Sequence, residues 1–99
     1  MRIVIAEDSV LLRVGLTRIL ADAGEEVVAT VGDADELLSA VERHQPDLCI
    51  VDVRMPPTHT DDGLRAAIAI RNRWSQIGIL VLSQYVEERY ATELLASSG

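Results

Sequence analysis

Four short aliphatic runs alternate along the chain with segments whose apolar residues recur at helical spacing. The runs lie at residues 3–6, 27–31, 48–51 and 79–82, and each is too short for a core helix, which favours strands. The helical patterns span residues 12–23, 34–41 and 64–68, and a last helix is predicted over residues 87–97. Strands that are apolar on both faces and joined by helices predict an α/β protein with a doubly wound parallel sheet.

Residues at the ends of these patterns agree with that order of elements. Ser9 and Asp33 stand where they could cap the first and second helices, because their side chains can accept backbone N–H groups. Gly24 stands where the first helix should stop, and Pro46 lies just beyond the second. We therefore expect one continuous run of alternating strands and helices.

Length and composition indicate one globular domain of 99 residues, of which 48% are hydrophobic and 25% charged. No apolar run approaches the roughly 20 residues that a membrane helix needs, and the first acid is already at Glu7, unlike a signal peptide. A cytoplasmic protein without a membrane partner is expected. The single cysteine, Cys49, lies in an aliphatic run and is predicted to be a packed thiol without chemistry.

The net charge of −7 bears on possible partners. A domain this acidic repels phosphate backbones, so it is not expected to bind nucleic acid by itself. Any contact with DNA should belong to another domain.

Polar residues follow three of the predicted strands, at the point where each strand ends. Glu7 and Asp8 follow the first strand, Asp52 the third and Ser83 the fourth. Ligands of doubly wound sheets bind beyond the carboxyl ends of the strands, so these four side chains should meet at one edge. The alternative is a set of unrelated solvated loop acids, which would rarely fall on successive strand ends by chance.

Three neighbouring carboxylates repel one another, so one takes up a proton unless a cation lies among them. Their hard oxygen atoms favour Mg²⁺ over zinc, and a bound Mg²⁺ would attract a phosphodonor to an otherwise acidic edge. A carboxylate could then attack phosphorus and become an aspartyl phosphate. The sequence contains neither a G-x-x-x-x-G-K-[ST] loop nor a G-x-G-x-x-G turn, which weakens nucleotide and flavin alternatives.

The segments IVIAEDS, DLCIVDVRMP and ILVLS resemble the response-regulator receiver family in order and spacing, over nearly the entire chain. The resemblance implies a flavodoxin-like or CheY-like sheet and an Mg²⁺ cofactor. It also implies a role for each residue at a matching motif position: Asp52 as phosphoacceptor and metal ligand, Asp8 as direct metal ligand, Glu7 as ligand through water, the backbone carbonyl of Arg54 as a further ligand, and Ser83 as the switch hydroxyl.

The same resemblance implies a signalling domain rather than an enzyme. Its phosphoryl group would come from a sensor histidine kinase and would control a downstream DNA-binding domain. The segment LSQYVEERYA is similar to receivers of LuxR/NarL-type transcription factors, in which a helix-turn-helix domain follows. DNA would then be bound only through a domain absent from this chain.

The chain departs from the family at several positions. The loop over residues 56–63 is longer than usual, and His59 within it is interpreted as a solvated residue rather than a ligand. Gln84 stands where a small residue is common, which suggests slow phosphoryl turnover.

The largest departure is at the C-terminus, where the chain stops before the family's fifth strand and fifth helix, and it contains no lysine to match the family's catalytic one. Residues 1–99 are therefore interpreted as an incomplete receiver domain with strand order 2-1-3-4. The exposed edge of the fourth strand is expected to self-associate, as a dimer or a domain-swapped pair.

Two other functions remain open from the sequence. A phosphorylation-independent interaction domain of the same fold is compatible with the missing lysine. A haloacid-dehalogenase-like phosphatase also forms an aspartyl phosphate, but it typically has a second Asp two residues after the nucleophile, where this chain has Arg54. Trp74 is expected to pack in the core or a loop, and its fluorescence would follow Mg²⁺ titration if it lies close to the site.

Overall fold

A computed structural model describes residues 1–82, which form four strands and three helices in alternation. The predicted helix over residues 87–97 and the predicted roles of Ser83 and Gln84 lie outside the described residues. In chain order, the elements are β1 (Arg2–Ala6), α1 (Val10–Asp22), β2 (Glu26–Val31), α2 (Ala34–His44), β3 (Leu48–Asp52), α3 (Asp62–Arg73) and β4 (Gly78–Leu82).

All four strands are parallel and form one sheet in the order β2-β1-β3-β4. The predicted doubly wound α/β fold is thus confirmed. Ala6 lies opposite Val51 in β3, and Asp52 lies opposite Leu82 in β4. The carboxyl ends of β1, β3 and β4 therefore meet at one edge of the sheet.

Alternate residues of the two central strands enter two separate apolar clusters. Val4, Cys49 and Val51 belong to the larger cluster, which α2 and α3 cover with residues such as Leu37 and Ile70. Helices thus cover this face of the sheet closely, and Cys49 is fully buried there as predicted. Burial raises the pKa of its thiol to about 11, so the thiol stays protonated at neutral pH.

The second cluster lies on the opposite face and consists of Ile3, Ile5 and Ile50. Leu16 and Leu20 of α1 pack against it, but Leu12 and Ile19, which the helical pattern also placed on the apolar side, are 50% and 66% exposed. Leu12 and Ile19 are exposed because α1 packs over β1 and β2. Within residues 1–82, the part of this face next to β4 is left exposed to solvent.

Local signals set the ends of the helices as the sequence predicted. The Ser9 hydroxyl accepts the Leu12 N–H at 3.3 Å, and Asp33 accepts the Glu36 N–H at 2.7 Å. Gly24 adopts φ +84°, a conformation that glycine allows at the end of α1. None of the helices within residues 1–82 is long and apolar enough to cross a membrane.

Candidate functional site

The acidic residues after β1 and at the end of β3 lie together at the carboxyl edge of the sheet. Because β1 and β3 are hydrogen-bonded neighbours, Glu7 and Asp8 emerge beside Asp52. Carboxylate oxygens of all three residues lie within 4.8 Å of one another. The structure thus brings together the three acids that the sequence singled out, while Ser83 lies outside the described residues.

Glu7 is the most buried of the three acids, with only 6% of its surface exposed. Its Oε1 accepts the backbone N–H of Ser9 at 3.0 Å. Burial, with a smaller contribution from the charge of Asp52, raises the pKa of Glu7 to about 7, although the Ser9 hydrogen bond opposes the shift. A cation at this edge would favour the ionised carboxylate and relieve the repulsion.

Asp52 is half-buried at the last position of β3. Its Oδ1 accepts the backbone N–H of Arg54 at 3.3 Å, which helps to orient the carboxylate. The neighbouring backbone is tied to β4, since Val53 donates its N–H to the Leu82 carbonyl at 3.0 Å. Arg54 lines the same cavity as the three acids, and the role of its carbonyl as a metal ligand stays a prediction.

His59 reaches this edge from the loop between β3 and α3. Its Nε2 lies 3.4 Å from Asp8 Oδ2, although the His59 side chain is 56% exposed. The sequence-based interpretation of His59 as a solvated residue was therefore right about its exposure. It did not predict the contact between His59 and the acidic cluster. The unusual length of the loop was the available signal, but nothing in the sequence shows where such a loop folds back.

The loop between β3 and α3 is held in place by Asp62, the first residue of α3, whose exposed fraction is only 8%. Asp62 accepts hydrogen bonds from the Thr58 hydroxyl and, at 3.4 Å, from the Thr58 N–H. The Thr58 hydroxyl lowers the pKa of Asp62 below its ordinary value, which keeps this carboxylate ionised. Sequence reasoning did not single out this residue.

Gly63 packs directly against the backbone of the predicted acceptor. Its N–H donates to the Val53 carbonyl at 2.9 Å. A Cβ atom at this position would overlap the Asp52 carbonyl oxygen and lie 2.8 Å from the Asp52 carbonyl carbon. Only glycine permits this approach without a backbone shift, so α3 can begin immediately beside Asp52.

These side chains surround an open cavity at the carboxyl edge of the sheet. Its polar lining consists of the three acids, Ser9, Arg54 and His59, and its apolar lining of Leu12, Leu16 and Leu82. Two or three carboxylates beside an accessible space match the way Mg²⁺ is bound in proteins, with water or phosphate oxygens completing its shell. The donor set therefore fits the Mg²⁺ that the resemblance implies.

The decisive comparison is with protein families. Residues 3–99 match the response regulator receiver domain. The chain belongs to the response regulator receiver family. Receiver domains are signalling domains rather than enzymes of the usual kind, and this assignment leaves the haloacid-dehalogenase-like alternative without support.

Individual relatives give the same assignment. The oxygen regulatory protein NreC of Staphylococcus haemolyticus is 38% identical over 100 residues, covering 100% of this chain and 45% of NreC. A LuxR-family response regulator from Aurantimonas sp. SI85-9A1 superposes with a TM-score of 0.75 and 28% identity, over 83% of this chain and 57% of that one.

The BeF₃-activated receiver domain of RstA from Klebsiella pneumoniae has a TM-score of 0.74 and 25% identity, over 84% of this chain and 68% of that one. Together these matches confirm a receiver fold related to transcriptional regulators. The chain spans less than half the length of NreC, so this receiver domain corresponds to one part of such a regulator.

Proposed function

We propose that this receiver domain takes a phosphoryl group onto Asp52, with Mg²⁺ bound by the acidic cluster. The observation that carries the proposal is the convergence of Glu7, Asp8 and Asp52 within 4.8 Å at the carboxyl edge of the sheet. A bound Mg²⁺ would neutralise the cluster and the oxygens of an incoming phosphoryl group. Asp8 and Asp52 would bind it directly, Glu7 through water, and Arg54 through its backbone carbonyl.

Asp52 would act as the nucleophile. One of its carboxylate oxygens attacks phosphorus in line, a new P–O bond forms, and the bond from phosphorus to the donor breaks, with the electron pair leaving on the donor. The hydrogen bond from Arg54 holds the carboxylate in one orientation before the attack. Ser83, at the position of the family's switch hydroxyl, would then hydrogen-bond a phosphoryl oxygen.

The donor would be the phosphohistidine of a sensor kinase, and the output would be a DNA-binding domain elsewhere in the regulator. This part of the proposal rests on relatedness to a LuxR-family regulator and to a receiver that BeF₃ activates. The net charge of −7 on this chain agrees with leaving DNA contact to a different domain. Such a regulator would work in the cytoplasm.

The test is labelling of Asp52 by acetyl phosphate or phosphoramidate. We expect Mg²⁺-dependent labelling that Asp52→Asn abolishes and that Asp35→Asn, a change of an exposed acid on α2, leaves intact. Labelling should be measured by mass spectrometry both in this chain and in the whole regulator. The 99 residues contain no lysine to match the family's catalytic lysine, so labelling of this chain alone would not be a sufficient test. A whole regulator that stays unlabelled with Mg²⁺ present would contradict the proposal and favour a phosphorylation-independent interaction domain.

We propose another copy of this chain as a second partner, bound at the side of β4 that no other strand covers within residues 1–82. β4 pairs with β3 on one side, and no strand within residues 1–82 covers its other side. Leu80 and Val81, which are adjacent in β4 and so point to opposite faces of the sheet, are 49% and 38% exposed, so apolar side chains flank the side of β4 that is unpaired within residues 1–82. Association through β4 would bury both.

A further inference from the structure

Asp62 is a buried charged residue to which the proposed phosphoryl chemistry assigns no role. Within residues 1–82, only two charged side chains are buried, those of Glu7 and Asp62, and Glu7 belongs to the acidic cluster. Burying a carboxylate costs free energy unless hydrogen bonds or an opposite charge offset the loss of water. The partners of Asp62 therefore indicate what this acid does.

Asp62 binds one residue of the loop between β3 and α3 with both of its carboxylate oxygens. The Thr58 hydroxyl donates to Oδ1, and the Thr58 N–H donates to Oδ2 at 3.4 Å. Arg65 offers an opposite charge, but its Nη2 is 4.0 Å from Oδ1 and its side chain is 64% exposed, so solvent weakens this attraction. The hydrogen bonds from Thr58 are thus the main interaction of the carboxylate, and they attach the loop to the first turn of α3.

Two backbone hydrogen bonds close the same loop on either side of Arg54. Val53 accepts the Gly63 N–H at 2.9 Å, and Met55, which is fully buried, accepts the His59 N–H at 3.0 Å. Arg54 lies between these two acceptors. A side-chain ligand can adjust to an ion by rotation about its bonds, but a backbone carbonyl moves only with the chain. The position of the Arg54 carbonyl therefore depends on how the loop is closed.

The contact between Thr58 and Asp62 stands next to the donors of both backbone hydrogen bonds. His59 follows Thr58 directly, and Gly63 follows Asp62 directly. Loss of the contact would leave a buried carboxylate without its partner, so the loop and the first turn of α3 would shift apart to admit water. Both backbone hydrogen bonds would be disturbed, and the Arg54 carbonyl would be displaced with them.

We propose that Asp62 is a positioning residue of the metal pocket, which binds Thr58 and so holds the Arg54 carbonyl where it can bind Mg²⁺. This inference rests on the proposed function, because it concerns the same ion. Mg²⁺ demands nearly ideal octahedral geometry, so a small displacement of one ligand weakens its binding. Asp62 itself would not touch the ion.

Thr58→Val, which removes the hydroxyl, tests this role by isothermal titration calorimetry of the whole regulator with Mg²⁺. We expect the affinity to fall by about tenfold, the small end of the range seen when a partner of a metal ligand is lost. Thr58→Ser keeps the hydroxyl and should bind Mg²⁺ like the wild type. Thr17→Val is the matched control, because the Thr17 hydroxyl donates to the Arg13 carbonyl at 2.7 Å within α1 and does not line the acidic cavity. It should leave the affinity unchanged.

Asp62→Asn is a second variant, which keeps the shape of the side chain and loses its charge. It should also weaken Mg²⁺ binding. If Thr58 and Asp62 act through one contact, the variant with both changes should lose only about as much affinity as the weaker-binding single variant. Urea unfolding of each variant shows that it is folded and measures its stability independently of the ion.

Labelling with phosphoramidate separates metal positioning from a general defect. Thr58→Val should need more Mg²⁺ for half-maximal labelling, by about the same factor as its loss of affinity. Its maximal rate at saturating Mg²⁺ should stay close to that of the wild type. A lower maximal rate with an unchanged Mg²⁺ requirement would contradict a role in positioning the metal ligand.

The outcomes separate the two proposals. Equal Mg²⁺ affinity in the wild type and in folded Thr58→Val overturns the role of Asp62 and leaves the proposed function standing. If Thr58→Val does not fold, Asp62→Asn decides in the same way. Additive losses in the variant with both changes, or an equal loss in Thr17→Val, also overturn the role of Asp62. A wild-type regulator that binds no Mg²⁺ at millimolar concentration overturns both proposals.

Discussion

At the scale of single residues, Glu7 shows that the carboxyl edge of the sheet is unfavourable for a charged carboxylate when no cation is bound. Its carboxyl is buried beside two other acids, and burial makes the charged form unfavourable. The free protein therefore retains a proton on Glu7 up to near neutral pH. Residues that would bind a metal are held in an arrangement that is unfavourable without one.

This gives a pH dependence of stability for the metal-free protein. The pKa of Glu7 rises from its ordinary value of 4.5 to about 7 on folding, so between these values the folded protein keeps a proton that the unfolded chain has lost. The contribution to the free energy of unfolding is therefore present below pH 4.5 and declines as pH rises towards 7. Allowing for solvent at this edge, we expect a decline of about 1 to 2 kcal/mol.

Urea unfolding at several pH values between 4.5 and 8 measures this decline. Glu7→Gln should flatten the dependence, because glutamine does not titrate, while Glu26→Gln, at an exposed position of β2, should retain it. Saturating Mg²⁺ should also reduce the decline. Equal pH slopes for the wild type and Glu7→Gln would refute the assignment of this titration to Glu7.

At the scale of elements, the connection from β3 to α3 packs directly against Asp52. Gly63 lies against the Asp52 backbone, and Asp62 binds the loop that carries His59. The first turn of α3 is thus part of the site rather than a neighbouring support. Changes there should affect metal binding as well as stability.

Gly63→Ala tests this connection. The added Cβ would force the backbone of Asp52 to move, which should destabilise the protein by about 1–3 kcal/mol and weaken Mg²⁺ binding. Gly15→Ala is the control, since nothing lies within 4 Å of a Cβ at that exposed position of α1. It should be neutral or stabilise the protein by up to about 1 kcal/mol.

Chemical denaturation and Mg²⁺ calorimetry measure the two effects. If Gly63→Ala matches Gly15→Ala in both stability and Mg²⁺ affinity, the close approach of α3 to Asp52 is not important for the site.

At the scale of the whole molecule, the two outer strands of the sheet formed by residues 1–82 differ in the side chains that they expose. The outer strand β2 presents Glu26 and Thr30 to solvent, whereas β4 presents Leu80 and Val81. Charged and polar side chains discourage pairing between edges, and apolar ones favour it. Association between copies should therefore use β4.

Sedimentation velocity at micromolar concentration should show dimers. Val81→Lys should shift the protein to monomers, because it places a charge in the new interface, and Thr30→Lys on the opposite edge should leave the dimer intact. Higher ionic strength should strengthen the dimer, since each chain carries a net charge of −7 that opposes association. A wild type that remains monomeric would contradict association through β4.

Much of the fold was predictable because its signals are local. The strands, the helices, and the caps at Ser9 and Asp33 depend on side-chain periodicity and on hydrogen bonds that span three residues.

The position of Trp74 was less predictable. It packs against the larger cluster after α3, ahead of β4, which places it at the edge of the sheet opposite the site and makes its fluorescence a poor reporter of Mg²⁺ there.

The sequence by itself determined the parallel α/β fold, the family and the three acids that follow β1 and end β3, since the order of strands and loops specifies where such residues emerge. Only the tertiary structure decided how these residues meet. The burial of Glu7, the approach of Gly63 to Asp52, and the contact between His59 and Asp8 join residues distant along the chain or depend on how the loop folds back. No short-range pattern records such contacts, because packing of the whole sheet and its helices creates them.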